Sequence, residues 1–204
     1  MKKLDKPVKQ VEWAEWITGA SQAVLKVEKF FAGIFITILL TLILVNVVTR
    51  FARIPIYWID EASIFAMVWL GFIGASVMMR LRIDFAVTLL SDNLSPKWVA
   101  RLRALATSIS LIFALGFVVM CWTWMDPLGI ASYQFDAKAY ATSSFNFLYT
   151  ERTQTLEWPS WIVNLILPIF ALTLTIHCAA NLLEDLGIAS KRTQNSLTSA
   201  EGAV

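Results

Sequence analysis

Eighteen consecutive residues, Ala62 to Met79, carry no charge, with Asp60 and Glu61 before them and Arg80 and Arg82 after. At about 1.5 Å per residue, a helix of that length crosses most of a hydrocarbon core of roughly 30 Å. Similar apolar runs occupy 30–49, 102–125 and 159–183. The chain therefore reads as an all-α membrane protein with four transmembrane helices. Composition agrees: 57% of residues are hydrophobic and only 16% charged, against about a quarter charged in a soluble domain. A net charge of +2 is too small to argue for a nucleic-acid partner. His177 is the single histidine, which argues against paired haem ligands and against a histidine-rich metal site. No cofactor is expected.

Ahead of the first span, residues 1–29 are rich in lysine. Trp13, Trp16, Ile17, Ala20, Val24 and Val27 recur there at helical spacing, with Glu12, Glu15, Thr18, Gln22 and Lys26 on the other side. This predicts a separate interfacial helix with its apolar side in the headgroup region. A cleaved signal peptide is not expected, because the apolar run starts late, is long, and precedes no small-residue cleavage site. Pro55 holds Ile54 extended and ends the first span, and Tyr57 and Trp58 suit a membrane–water boundary.

After Arg82, the segment from Asp84 to Leu94 is amphipathic and too short to span, so it predicts a surface helix between the second and third spans. Pro96 suits the first turn of the next helix, and Pro168 predicts a kink in the fourth. The connection 126–158 holds Tyr133, Phe135, Tyr140, Phe145, Phe147 and Tyr149, too many aromatics for simple disorder, and predicts an ordered cap. Residues 184–204 form a polar tail. Of the 17 lysines and arginines, 13 lie in the N-terminal segment, the 80–103 region and the tail, and only Arg50, Arg53, Lys138 and Arg152 lie on the other side. The positive-inside rule then places both termini in the cytoplasm and 126–158 outside.

Candidate chemistry is sparse. Asp60 and Glu61 sit at a helix N-terminus, where the dipole stabilises acids. A sharper expectation pairs Glu61 with Arg50 across the first two helices. His177 reads as a boundary residue near the end of the fourth span. Gly71, Gly74 and Ala75 put small residues along one side of the second helix, which in lipid lets another helix approach closely. Cys121 and Cys178 differ in depth by more than about 20 Å on this layout. A disulfide needs Cα atoms within about 7 Å, so two free thiols are expected. No phosphate-binding loop, paired carboxylate or nucleophile–base arrangement is present, and no inverted repeat with broken helices marks a transport site.

One pattern is more specific. Arg50, a short link, Trp58, Glu61 and the run Trp69-Leu70-Gly71-Phe72-Ile73-Gly74-Ala75-Ser76 are followed by Arg80, by the amphipathic run from Asp84, and by Pro96. This resembles the small membrane subunit (Q component, DctQ family) of tripartite ATP-independent periplasmic, or TRAP, transporters. Members often carry histidine where Asp84 stands and aspartate where Thr88 stands, and have a shorter 126–158 connection. The resemblance implies a non-catalytic chain in the bacterial inner membrane. Its implied partners are a large membrane subunit (M component) that carries sodium and an organic acid by an elevator motion, and a periplasmic binding protein (P component). The small subunit would brace the scaffold of the large one. Arg50, Trp58, Glu61, Gly71, Gly74 and Ala75 are interface candidates, as are Glu151 and Glu157 in the outer cap, where the binding protein must dock. Two alternatives make different demands on the chain. A self-sufficient exporter using Glu61 should have short loops and a midplane carboxylate, and a membrane anchor for a redox complex should have cofactor ligands.

Overall fold

In the computed structural model, residues 12–82 and 95–190 are described. Seven helices form among them: α1 (Glu12–Phe51), α2 (Trp58–Leu81), α3 (Pro96–Met125), α4 (Pro127–Ser132), α5 (Ala137–Ser144), α6 (Ser160–Asn164) and α7 (Ile166–Asp185). Four stretches are long and apolar enough to cross a membrane: Glu12–Phe51, Trp58–Leu81, Lys97–Ser132 and Ser160–Asp185. The predicted surface helix at 84–94, with Asp84 and Thr88, lies outside the described residues.

The first correction concerns the N-terminal segment. The helix expected at the interface and the first span are one continuous helix of 40 residues, roughly 60 Å long. No proline interrupts residues 12–51, and nothing else near position 30 breaks the hydrogen-bond ladder. The buried face of its first half is the side with Thr18, which leaves the tryptophan side facing outward as expected. Ala14, Thr18, Ser21, Leu25 and Glu28 are buried, whereas Trp16 is 76% exposed. Small and polar side chains let this half lie close to α7, and the bulky apolar ones point away from the protein.

The remaining helix ends follow local chemistry. α2 starts at Trp58, four residues before the uncharged run, and takes Asp60 and Glu61 into its first turn. Arg82 ends it in a left-handed conformation. Pro96 opens α3 behind Ser95. The fourth span is interrupted at Leu165, between α6 and α7. Pro168 has no N–H for the Asn164 carbonyl and its ring crowds that carbonyl, which accounts for the break one turn before it. α7 closes on Gly187 at φ +70, with the Ile188 and Ala189 amides donating back to the Leu183 carbonyl. A side chain at that φ would be strained.

α1 packs along α2 and α3 packs along α7, while α7 also touches α1 and α2. The central helix α7 thus meets all three other long helices. Its Leu174 and Cys178 form a small core with Ala114, flanked by Met79, Leu111 and Phe170. The Phe170 ring also meets Phe72 and Phe117 at 5.1 and 6.0 Å between centroids. Cys121 and Cys178 are both free and buried.

Candidate functional site

Polar side chains gather at the two ends of the bundle. At the end where α2 and α7 finish, Arg80 is fully buried and donates to Asn181 Oδ1 at 2.5 Å and to Glu184 Oε1 at 2.8 Å. Asn181 Nδ2 in turn donates to the Met79 carbonyl. Arg82 reaches Asp185 Oδ1 at 2.5 Å, the Asn181 carbonyl at 2.7 Å and Glu184 Oε2 at 3.5 Å. The other Asp185 oxygen accepts from Thr107 on α3. This network ties α2, α3 and α7 into one block. A second group ties in α1: His177 Nε2 lies 2.9 Å from Glu28 Oε2, and its Nδ1 lies 2.7 Å from Ser21 Oγ. Glu15 Oε1 accepts from the Ser190 amide and hydroxyl.

Serine, histidine and glutamate in a hydrogen-bonded row invite comparison with a hydrolytic triad. Ser21 and His177 are both fully buried, so the hydroxyl has no room for an acyl group. The row is a helix-to-helix clamp. His177 is therefore not the boundary residue expected, but the centre of the α1–α7 contact.

At the opposite end, residues 126–158 form an ordered cap. Asp126 caps α4 through the Gly129 amide and accepts from the Tyr140 hydroxyl at 2.8 Å. A Cβ on Gly129 would overlap that carboxylate. Asp136 caps α5 through the amides of Lys138 and Ala139. Tyr140 is buried between Tyr133 and Tyr149. Burial, and then the bond to Asp126, push its phenol above the usual range. Tyr149 and Asn146 pin the cap to the end of α3 by donating to the carbonyls of Met125 and Trp124.

The expected Arg50–Glu61 pair does not form. Arg50 meets Asp60 Oδ2 at 2.6 Å, and Asn46 bridges the two by accepting from Arg50 and donating to Asp60. Glu61, about 100° further round α2, turns to the cap instead. It accepts from the amides of Gln154, Thr155 and Leu156 at 2.7–2.8 Å and from the Thr155 hydroxyl at 2.6 Å. A carboxylate with four donors needs no basic partner.

The other sequence candidates are scattered. Trp58 lines an apolar groove of about 440 Å³ with Trp69 and Trp158. A second groove, of about 430 Å³, continues from the Phe35–Trp69 stack toward Glu28. Gly71 and Gly74 face open space, and among the described residues no helix packs against their small side. Glu151 and Glu157 are exposed on the cap. Among the described residues, no group of three or more His, Cys, Asp or Glu is placed to hold a metal. Sequence reading missed Ser21, Glu28, Arg80, Arg82, Asn181, Glu184 and Asp185. A signal existed for part of this set. Two arginines end the second span and three acceptor-bearing residues end the fourth, at one depth in the membrane.

A family model for the DctQ component of tripartite ATP-independent periplasmic transporters matches residues 39–187. The chain is also 25% identical, over 114 residues, to a C4-dicarboxylate TRAP transporter small permease protein, DctQ, of Vibrio cholerae serotype O1. That match covers 55% of this chain and 49% of the relative, so it spans about half of the relative's length. No solved structure matches.

Proposed function

We propose, from the premise that this chain belongs to the DctQ component family of tripartite ATP-independent periplasmic transporters, that it braces a larger transport subunit and carries nothing itself. It is a small permease subunit, not an enzyme, and a multi-pass inner-membrane protein. On this reading the transport is sodium-driven symport of an organic acid, delivered by a soluble periplasmic binding protein. A large elevator-type membrane subunit moves the acid, and this chain holds its scaffold fixed in the bilayer. The use made of Glu61 carries the reading. It is the carboxylate an autonomous exporter would need, and four donors of the chain's own cap occupy it. The open space at Gly71 and Gly74, with Ala75 beside them, and the groove beside Trp58 suit the flank of a partner helix.

The test is reconstitution. The chain alone, in liposomes with an inward sodium gradient, takes up no labelled carboxylate from a panel that begins with C4-dicarboxylates. Adding the large subunit and the binding protein produces uptake. Uptake by the single chain would overturn the bracing role. Orientation is tested separately. With both termini in the cytoplasm, Ser143→Cys on the exposed face of α5 reacts with a membrane-impermeant maleimide on spheroplasts. Cys121 and Cys178 are buried and give little background. Labelling only in inverted vesicles would reverse the topology.

A further inference from the structure

The cap carries four acids, and the structure divides them. Asp126 and Asp136 are consumed as helix caps. The carboxylates of Glu151 and Glu157 engage no group of the described residues. Glu151 differs from Glu157 in where it stands. It lines a recess of about 480 Å³ between the end of α3, the 145–148 turn and α6, with Trp124, Phe145 and Phe147 as its aromatic walls. Asn146 spends its amide on the Trp124 carbonyl and its oxygen on the Leu148 amide. Asn164, which also lines the recess, donates its side-chain nitrogen to Ser160, and the Thr123 hydroxyl donates to Val119. What remains for a visitor is a set of acceptors: the Glu151 carboxylate, the Asn164 oxygen and a Thr123 lone pair.

Phe145 adds a second observation. It closes α5 at φ +57, a conformation unfavourable for a bulky residue, where glycine or asparagine would serve. Its ring is 79% exposed, so internal packing does not explain the choice. Phe135 has the same combination, φ +64 and 75% exposure, outside the recess, so what Phe145 contributes here is its exposed ring. Acceptors beside aromatic faces suit one chemistry, a cation with N–H donors, which gains both charge-assisted hydrogen bonds and cation–π contact. No basic side chain of the described residues fills the place. The nearest in sequence, Arg152, donates to the Glu157 carbonyl.

We infer that this recess receives a lysine or arginine side chain from the docking face of the soluble binding protein. The inference rests on the proposed function and on the cap facing outward. The large subunit is the less fitting occupant, because the recess lies at the cap end of α3, in its last turn, and half its lining residues are polar.

The experiment uses proteoliposomes holding both membrane subunits, and labelled binding protein titrated onto them. Wild-type complex binds, and Glu151→Lys raises the half-saturating concentration about tenfold or more by placing like charges together. The isosteric Glu151→Gln raises it less and flattens its dependence on salt. Glu157→Lys, outside the recess, changes it less than about twofold. Reversing one lysine or arginine at a time to glutamate on the binding protein then restores binding to the Glu151→Lys complex at one position. Equal binding to wild-type and Glu151→Lys complexes would overturn the recess while leaving the bracing role intact. Separation of the two membrane subunits in Glu151→Lys would instead assign the recess to the large subunit. Failure of the wild-type complex to bind at all would bring down the docking reading together with the recess.

Discussion

The two ends of the bundle are held by different kinds of bond. At the end of α2 and α7, polar side chains meet polar side chains: Arg80 with Glu184 and Asn181, Arg82 with Asp185, His177 with Glu28. At the cap end, acids mostly grip backbone amides: Glu61 on 154–156, Asp126 on 129, Asp136 on 138 and 139. The first arrangement needs two specified residues and fixes helices rigidly against one another. The second needs only the acid, because every non-proline residue supplies an amide. A cap built that way keeps its backbone path while its outward side chains, Phe145 and Glu151 among them, stay available for recognition.

The contrast can be broken first where burial is deepest. Glu184→Leu removes the carboxylate of the buried Arg80 and should cost about 3–5 kcal/mol in a detergent unfolding assay. The double variant Arg80→Met/Glu184→Leu should lose less than that single one. A double variant at least as damaged would mean that the ion pair is not what holds α2 to α7. Next comes His177→Leu, which strips partners from Glu28 and Ser21 at about 2 kcal/mol. Its signature is loss of amide-exchange protection in the first half of α1 with α3 unaffected. Uniform loss across the bundle would argue against a local clamp.

At the cap end the expected change is local. Glu61→Ala should free the amides of 154–156 to exchange and expose the 152–158 segment to protease, with the unfolding midpoint of the four long helices little moved. Glu61→Gln, which keeps an acceptor, should restore part of the protection. If the alanine variant leaves exchange at 154–156 unchanged, the grip is not what orders the segment. The smallest effect belongs to Arg50 and Asp60, whose side chains are 61% and 47% exposed. Arg50→Ala and Asp60→Asn should each cost under about 1 kcal/mol and should be non-additive. Strict additivity would mean that the two do not interact in solution.

The sequence by itself determined the four spans, the start of α3 at Pro96, the interruption ahead of Pro168 and the existence of an ordered cap. Each follows from local quantities: run length, a missing N–H, or aromatic content. It did not determine which acid Arg50 meets. Asp60 and Glu61 are neighbours about 100° apart on α2, so the rotation of that helix about its axis decides the partner, and only packing sets that rotation. Nor could it show that α1 is one helix from Glu12 to Phe51. Its first half is mixed in character, and what holds it is the His177 clamp, made with residues about 150 positions away. The block of Arg80, Arg82, Asn181, Glu184 and Asp185 was half legible, because depth in the membrane can be counted from either helix. Its pairing was settled only when α7 took the centre of the bundle and brought both rows of side chains to one face.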